Sequence, residues 1–382
     1  MQFQDVIGHH HLKDHFKTTI ANGRIPHAQL FVGNTGSGIL PMALAYARQL
    51  LGSGYPEGSN EQLHAYRQVE QLVHPDLHFV FPIYSTGKRK KVSNEFIEQW
   101  RSLVLANPYA SLYDWLQELQ VGNSQATIYV DEAHEISKAL SLKAFKGGYK
   151  VLIIWLAEKM NNDLSNKILK LVEEPPDGSV LLLLTEDEEQ ILTTIHSRCQ
   201  RCYLSFLSEA DISKHLQQYE GVEKNLAEKL AHRANGDFNN ALHLLSNNAD
   251  DLEFEKWFVE WVRMAFRGRR QKSAVIELLK WSEQLAGQGR ETQKQFLQYC
   301  IEMFRQAMLK NYGMDQMVYF EAQQAQFDLS RFAPFVHQNN IYDILKALED
   351  AIAHIGRNAN AKIVLSDLSI QLTRLIHKKE VV

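Results

Sequence analysis

The chain has 382 residues, 45% of them apolar and 23% charged, with a formal net charge of −4. That length supports two or three domains, each burying its own core, and the charge excludes a protein held to nucleic acid by its overall field, so any phosphate contact has to be local or shared with other subunits. Cys199, Cys202 and Cys300 show neither zinc spacing nor a disulfide framework, no stretch approaches the roughly 20 apolar residues of a membrane span, and residues 1–5 lack a basic-then-apolar signal, so a cytoplasmic protein is expected.

Phe3 to Gly8 precede a predicted helix over about 10–22, with Leu12, His15, Phe16 and Ile20 on one face and Gly23 as a C-cap. His9, His10, His11 and His15 invite a metal reading. Adjacent histidines point around a helix, however, and no carboxylate or cysteine is spaced to help them, so no metal site is assigned. Arg24 to Ala28 then lead into an apolar run, Leu30 to Val32, that reads as a buried strand.

The loop that follows, Gly33-Asn34-Thr35-Gly36-Ser37-Gly38, sits between that strand and a helix starting near Met42. Strand, glycine-rich loop and helix make a phosphate-binding arrangement, with Gly33, Gly36, Ser37 and Gly38 as the cradle. In a working loop the next two residues are a lysine that reaches the β- and γ-phosphates and a hydroxyl that holds magnesium; here they are Ile39 and Leu40. Backbone N–H groups can still hold an anion weakly, but phosphoryl transfer loses both of its agents. A tight turn with no ligand is the competing reading, and the loop alone does not decide between them.

Residues 60–73 read as a helix and His74 to Pro82 as a turn into a strand. Lys88-Arg89-Lys90-Lys91 is a short basic loop, read as a solvated turn before a DNA contact. Residues 94–120 carry Phe96, Trp100, Val104, Trp115 and Leu119 at helical spacing, amphipathic helices expected to pack on the main sheet. Two stretches then compete for the strand beside the loop. Thr127 to Val130, followed by Asp131-Glu132-Ala133-His134, spells a helicase box, whereas Val151 to Ile154 is the purer buried strand. We take the second, and read Asp131-Glu132 as the acidic start of a helix over 133–142. A helix ending in Glu173-Glu174-Pro175-Pro176, a strand over 180–184 and Ser197-Arg198-Cys199 follow.

Helices are predicted over 209–219, 223–234 and 239–246, and a further helical region begins near Asp250 with an apolar stripe of Phe254, Trp257, Phe258, Trp261, Val262 and Phe266. Arg267-Gly268-Arg269-Arg270-Gln271-Lys272 closes it, read as a helix end with favourable cations. More helices are expected at 275–286, 292–311, 315–326, 339–355 and 360–377.

Phe3 to Gly8, Gly23 to Ala28, the loop 33–38, His74 to His78, Leu169 to Pro176 and Ser197 to Cys199 occur in the order and at about the spacing of bacterial DNA polymerase III clamp-loader AAA+ subunits, and together resemble those of the delta prime kind. The resemblance covers about residues 1–245 well, and the remainder only as a helical domain with a similar segment at Asn358 to Lys362. It implies an α/β AAA+ domain with a P-loop-type parallel sheet over 1–205 and a helical insertion at about 85–125. A helical lid would occupy 206–248 and an all-α collar 249–382. It also implies a ring with gamma/tau ATPase and delta subunits that loads a sliding clamp onto primer-template DNA, with ATP and magnesium on the neighbouring subunit served in trans by Arg198.

Departures from the pattern are equally informative. Lysine and hydroxyl are replaced by Ile39 and Leu40, the magnesium acids are reduced to Glu158, and Asn239 stands where active subunits carry a phosphate-sensing arginine. Residues 51–73 contain no cysteine, so no zinc module is expected. The expectation is an ATPase-silent component of a polymerase holoenzyme that requires no cofactor of its own, with weak nucleotide binding at the altered loop left open. Two alternatives stay open: an active helicase-type ATPase using Asp131-Glu132, and a scaffold without a finger.

Overall fold

The computed structural model describes residues 1–84, 92–120, 126–144, 148–246, 249–319 and 327–379. The chain divides into two compact units, Met1–Leu245 and Ser246–Val382. The first opens with α1 (His10–Ala21), β1 (Ala28–Gly33), α2 (Ile39–Gly52), α3 (Asn60–Glu70) and β2 (Leu77–Val80). It continues with α4 (Ile97–Ala106), α5 (Leu112–Glu118), α6 (Glu132–Ser141), β3 (Lys150–Ile154), α7 (Asn162–Glu173), β4 (Ser179–Thr185), α8 (Thr193–His196) and β5 (Gln200–Leu204), and closes with α9 (Glu209–Tyr219), α10 (Lys224–Ala234) and α11 (Phe238–Leu245).

The five strands form one parallel sheet in the order β2-β3-β4-β1-β5. Every residue of β3 and β4 is buried, the signature of strands covered on both faces, and their continuous apolar runs follow from that. One face is covered by a core containing Phe16, Phe31, Tyr46, Trp100 and Trp115, the other by one containing Leu30, Leu152, Leu164 and Ile168. Helices α4 and α5 pack on the sheet as their spacing predicts: Trp100 stacks on Phe81 with ring centroids 4.4 Å apart and meets the edge of Trp115 at 5.6 Å. Helices α9 to α11 enclose their own cluster, Ile212, Leu216, Ala227, Leu230 and Phe238, which Ile7 and Tyr109 join. The first unit is thus an α/β domain built on a parallel sheet, with a small helical bundle after it.

The second unit is helical: α12 (Ala249–Gly268), α13 (Lys272–Ala286), α14 (Arg290–Asn311), α15 (Leu329–Phe332), α16 (Ile341–Gly356) and α17 (Ala361–Leu375). Phe254, Phe258, Trp261 and Val262 of the predicted stripe are buried, whereas Phe266 is 43% exposed. Among the described residues no helix is long and apolar enough to cross a membrane.

The sheet position beside β4 belongs to β3, as read from the sequence, while Thr127 to Val130 forms no strand and, among the described residues, pairs through the isolated bridges Ile83–Thr127 and Ile128–Met160. Two expectations are corrected. The Asp131-Glu132 pair does not cap α6 by side chain. Asp131 makes no capping bond, and Glu132 turns inward to accept from the amide and, at 2.6 Å, the hydroxyl of Ser93. Those two donors are buried and need an acceptor, which is what draws the carboxylate in. Over its described part, 315–319, the helix expected at 315–326 is a single 3-10 turn, Asp315–Met317, before Val318 goes extended and the Tyr319 amide donates to the Gln306 side chain. Residues 320–326 and the basic loop 88–91 lie outside the described residues.

Candidate functional site

The glycine loop joins β1 to α2, and its glycines are there for room. A Cβ on Gly33 would lie 2.7 Å from the Leu204 carbonyl oxygen, while Gly36 and Gly38 have φ of +67° and +97°, a left-handed region that side chains adopt at a cost. Ser37 is fully buried, and its Oγ finds no partner among the described residues. Its carbonyl oxygen accepts from His9 Nε2 at 2.7 Å; burial holds that imidazole below its usual pKa, which favours the neutral ring. Ile39 and Leu40 are buried in the sheet-face core, so the helix start that should present a cation and a hydroxyl to phosphate is turned into apolar packing.

Two side chains from elsewhere in the first unit press on the loop. Tyr109, from the turn between α4 and α5, lies where a Cβ on Gly38 would meet its ring at 3.3 Å, and its hydroxyl accepts from the Ile7 amide at 2.9 Å. Asp237 places Oδ1 directly against Gly36, and the Phe238 amide donates to the Gly36 carbonyl at 3.2 Å. Burial, and next to it the charge of Glu186, push the Asp237 carboxyl up to about 7. Asn239 does not reach toward the loop. Its Oδ1 accepts from Asn107 Nδ2 at 2.6 Å and its Nδ2 donates to Asp114 at 2.8 Å, while His243 Nε2 lies 2.8 Å from the other Asp114 oxygen. Helix α11 is thus held to the α4–α5 turn by polar bonds, and the Tyr109 and Phe238 rings meet edge-on at 4.9 Å.

The acid at the end of β3 is also engaged. Trp155 and Leu156 are buried in the core. Glu158 Oε2 accepts from Thr185 Oγ1 at 2.8 Å, and burial followed by the Glu186 charge push its carboxyl up to about 7. Glu186 in turn accepts from the loop residue Thr35, Oγ1 to Oε1, at 2.8 Å. Carboxyls of Glu186 and Asp237 therefore meet a loop that in a nucleotide-binding chain faces phosphate, and Glu158 lies near enough to Glu186 to feel its charge. The residues present do not fit a magnesium-bound triphosphate: the lysine that neutralises phosphate and the hydroxyl that holds magnesium are absent.

Arg198 lies elsewhere. It sits in the turn between α8 and β5, anchored by the buried Ile195 and Cys199 on either side, with its own side chain 42% exposed. The guanidinium pairs with Glu173, the last residue of α7, at 2.8 Å and donates to the Thr194 carbonyl at 3.0 Å. Because β1 and β5 are parallel, with Gln29 beside Gln200 and Gly33 beside Leu204, Arg198 precedes β5 at one end of the strands while the loop follows β1 at the other. Four residues of strand, about 13 Å, separate the two ends.

The sequence brought the loop, Glu158 and Arg198 to notice. It gave no sign that Tyr109 and Asp237 press on the loop or that His9 ties it down, because these contacts join residues far apart in the chain. The Gly236-Asp237-Phe238 run drew attention only to Asn239.

The family described as "DNA polymerase III, delta subunit" matches residues 8–208. The delta' subunit of Bacillus subtilis DNA polymerase III is 28% identical over 233 residues, 58% of this chain and 57% of that protein. The tau/gamma subunit of Haemophilus influenzae is 26% identical over 251 residues, 63% of this chain and 30% of that protein. The chain thus spans less than two thirds of the length of these relatives. A gamma subunit-related protein of Thermotoga maritima, known from a solved structure, is 14% identical with a TM-score of 0.40, covering 95% of this chain and 99% of that one. With more than half of its length matched, this chain belongs to the DNA polymerase III delta subunit family.

Proposed function

We propose that the chain is an ATPase-silent clamp-loader subunit of the delta prime kind, which supplies Arg198 to ATP held by a neighbouring gamma/tau-type subunit as a sliding clamp is loaded onto primed DNA. The placement of Arg198 carries the reading. An exposed guanidinium at the end of the strands opposite its own loop cannot serve that loop, but it can enter a site on another chain. Ile39 and Leu40 support the silent half, since they leave the chain's own loop without the lysine and the hydroxyl, and Tyr109 and Asp237 press on it.

In this reading ATP and magnesium on the neighbour supply the phosphoryl chemistry, and this chain contributes a fixed positive charge. Ile195 and Cys199 hold the turn rigid, and Glu173 keeps the guanidinium extended until a partner's phosphate takes its place. A cation added in trans is worth on the order of 10³ to 10⁵ in rate where such fingers are known. Reconstitution with gamma/tau and delta subunits tests it. The isolated chain should hydrolyse no ATP, and Arg198→Ala should abolish turnover at the one interface it faces while leaving the mass of the assembled complex unchanged. Unaltered turnover in that variant would reduce the chain to a scaffold.

A further inference from the structure

One end of the helical unit gathers an unbalanced positive charge. Residues 267–272 carry Arg267, Arg269, Arg270 and Lys272, residues 374–379 carry Arg374, Lys378 and Lys379, and neither stretch holds a carboxylate. The fold brings them side by side. Gly268 abuts Thr373 so closely that a Cβ would lie 3.1 Å from its methyl group, and the Phe266 ring stacks on His377 at 5.1 Å and meets Phe335 at 4.8 Å. The start of α16 joins the same end, since Asn340 Nδ2 donates to the Leu375 carbonyl and Asp343 pairs with Lys378 at 2.8 Å. Arg267 is paired with Glu277. Arg269, Arg270, Lys272, Arg374 and Lys379 are exposed, and form no ion pair among the described residues.

Helix electrostatics accounts for only part of this cluster. Arg267 and Arg374 sit in last turns, where a cation is favourable, but Arg269 and Arg270 lie in the turn beyond α12. Lys272 is the first residue of α13, at the positive end of its dipole, with no acidic residue in that turn and no side-chain cap to offset it. A cation there costs stability, so its use is external. Two exposed aromatics flank the cluster: Phe266 at 43% and Tyr342, beside Asp343, at 71%.

We propose that this end of the helical unit binds single-stranded nucleic acid, the cations tracking phosphates and Tyr342 and Phe266 offering faces on which bases stack. Cations interleaved with aromatics suit a strand whose bases are unpaired, while a duplex hides its bases from such rings. The proposal stands on the helical unit alone and does not depend on Arg198.

Fluorescence anisotropy of the full chain with a labelled oligothymidylate, titrated at several salt concentrations, tests it. Five phosphate contacts give a slope of log affinity against log salt of about −3.5. Arg269→Glu/Arg270→Glu/Lys272→Glu should lower low-salt affinity on the order of a hundredfold and flatten the slope by about 2, with the glutamine triple variant intermediate. Tyr342→Ala should cost about tenfold. Lys229→Glu, on α10 of the first unit, should change neither value. Failure of the native chain to bind at low salt, an unchanged slope in the triple variants, or equal affinity for a duplex of the same length would each overturn the proposal; thermal melts establish that the variants are folded.

Discussion

Asp237 combines two roles whose electrostatic demands conflict. As the residue before α11 it accepts the Asn240 amide at 3.0 Å, which favours the ionised form, yet it is pressed against Gly36 in a partly buried site near Glu186, and the second influence wins. Its pKa of about 7 lies above the ordinary aspartate value of 3.8, so between those limits the folded chain binds a proton that the unfolded chain has released. Its contribution to stability is therefore intact below about pH 4, declines as pH rises, and levels off above about pH 7. Asp237→Asn keeps the volume and the cap and removes the penalty. The variant should melt at the same temperature as the native chain near pH 4 and at a progressively higher one toward pH 8. Melting curves across that range check this, and a difference that does not grow with pH would show the carboxyl to be comfortable where it is.

At the scale of elements, α5 and α11 depend on one side chain. Asp114 accepts from the amide and hydroxyl of Ser111, both at 2.7 Å, completing the capping box of α5, and the same carboxylate holds Asn239 and His243 of α11. Burial alone would raise its pKa, but the hydrogen bond and charge of His243, with the Ser111 donors, outweigh burial and hold the carboxyl below its usual range. The stability this provides is present above the ordinary carboxylate pKa and is lost as pH falls through the lowered one. Asp114→Ala should cost about 2–4 kcal/mol, the sum of a lost cap and uncompensated buried donors. Amide exchange in α11 should speed up while β3 and β4 stay protected. Much of this layer was legible beforehand: the spacing of apolar residues located α9 and α12, and the two buried runs located β3 and β4. What the sequence did not show follows from the range of the forces involved. The run Thr127 to Val130 has strand composition but meets its neighbours through single bridges to Ile83 and Met160, α15 is four residues long and so leaves no periodicity, and Tyr109 reaches the loop only because tertiary packing carries it there.

The whole molecule is two units, each with its own apolar interior. Phe258, Trp261, Phe296 and Phe304 centre one cluster in the helical unit, while the clusters of the first unit lie on the two faces of its sheet and within α9 to α11. Each unit is large enough to sustain a core, so the full chain should show two transitions by calorimetry, and residues 1–245 and 246–382 expressed separately should each reproduce one of them. That separation permits a ligand test confined to the first unit. A ligand that binds only the folded form raises its stability by RT ln(1 + [L]/Kd), about 2.7 kcal/mol when present at a hundred times Kd. Because Tyr109 and Asp237 press on the loop and neither lysine nor hydroxyl is there to hold phosphate and magnesium, millimolar ATP with magnesium should leave the transition of the first unit where it is. Replacing Tyr109 by alanine opens space over Gly38 but restores neither lysine nor hydroxyl, so that variant should melt lower and still not respond to nucleotide. A nucleotide-dependent rise in the native chain would mean that the side chains over the loop move aside for phosphate, and that the chain retains a binding step although it lacks the groups for hydrolysis.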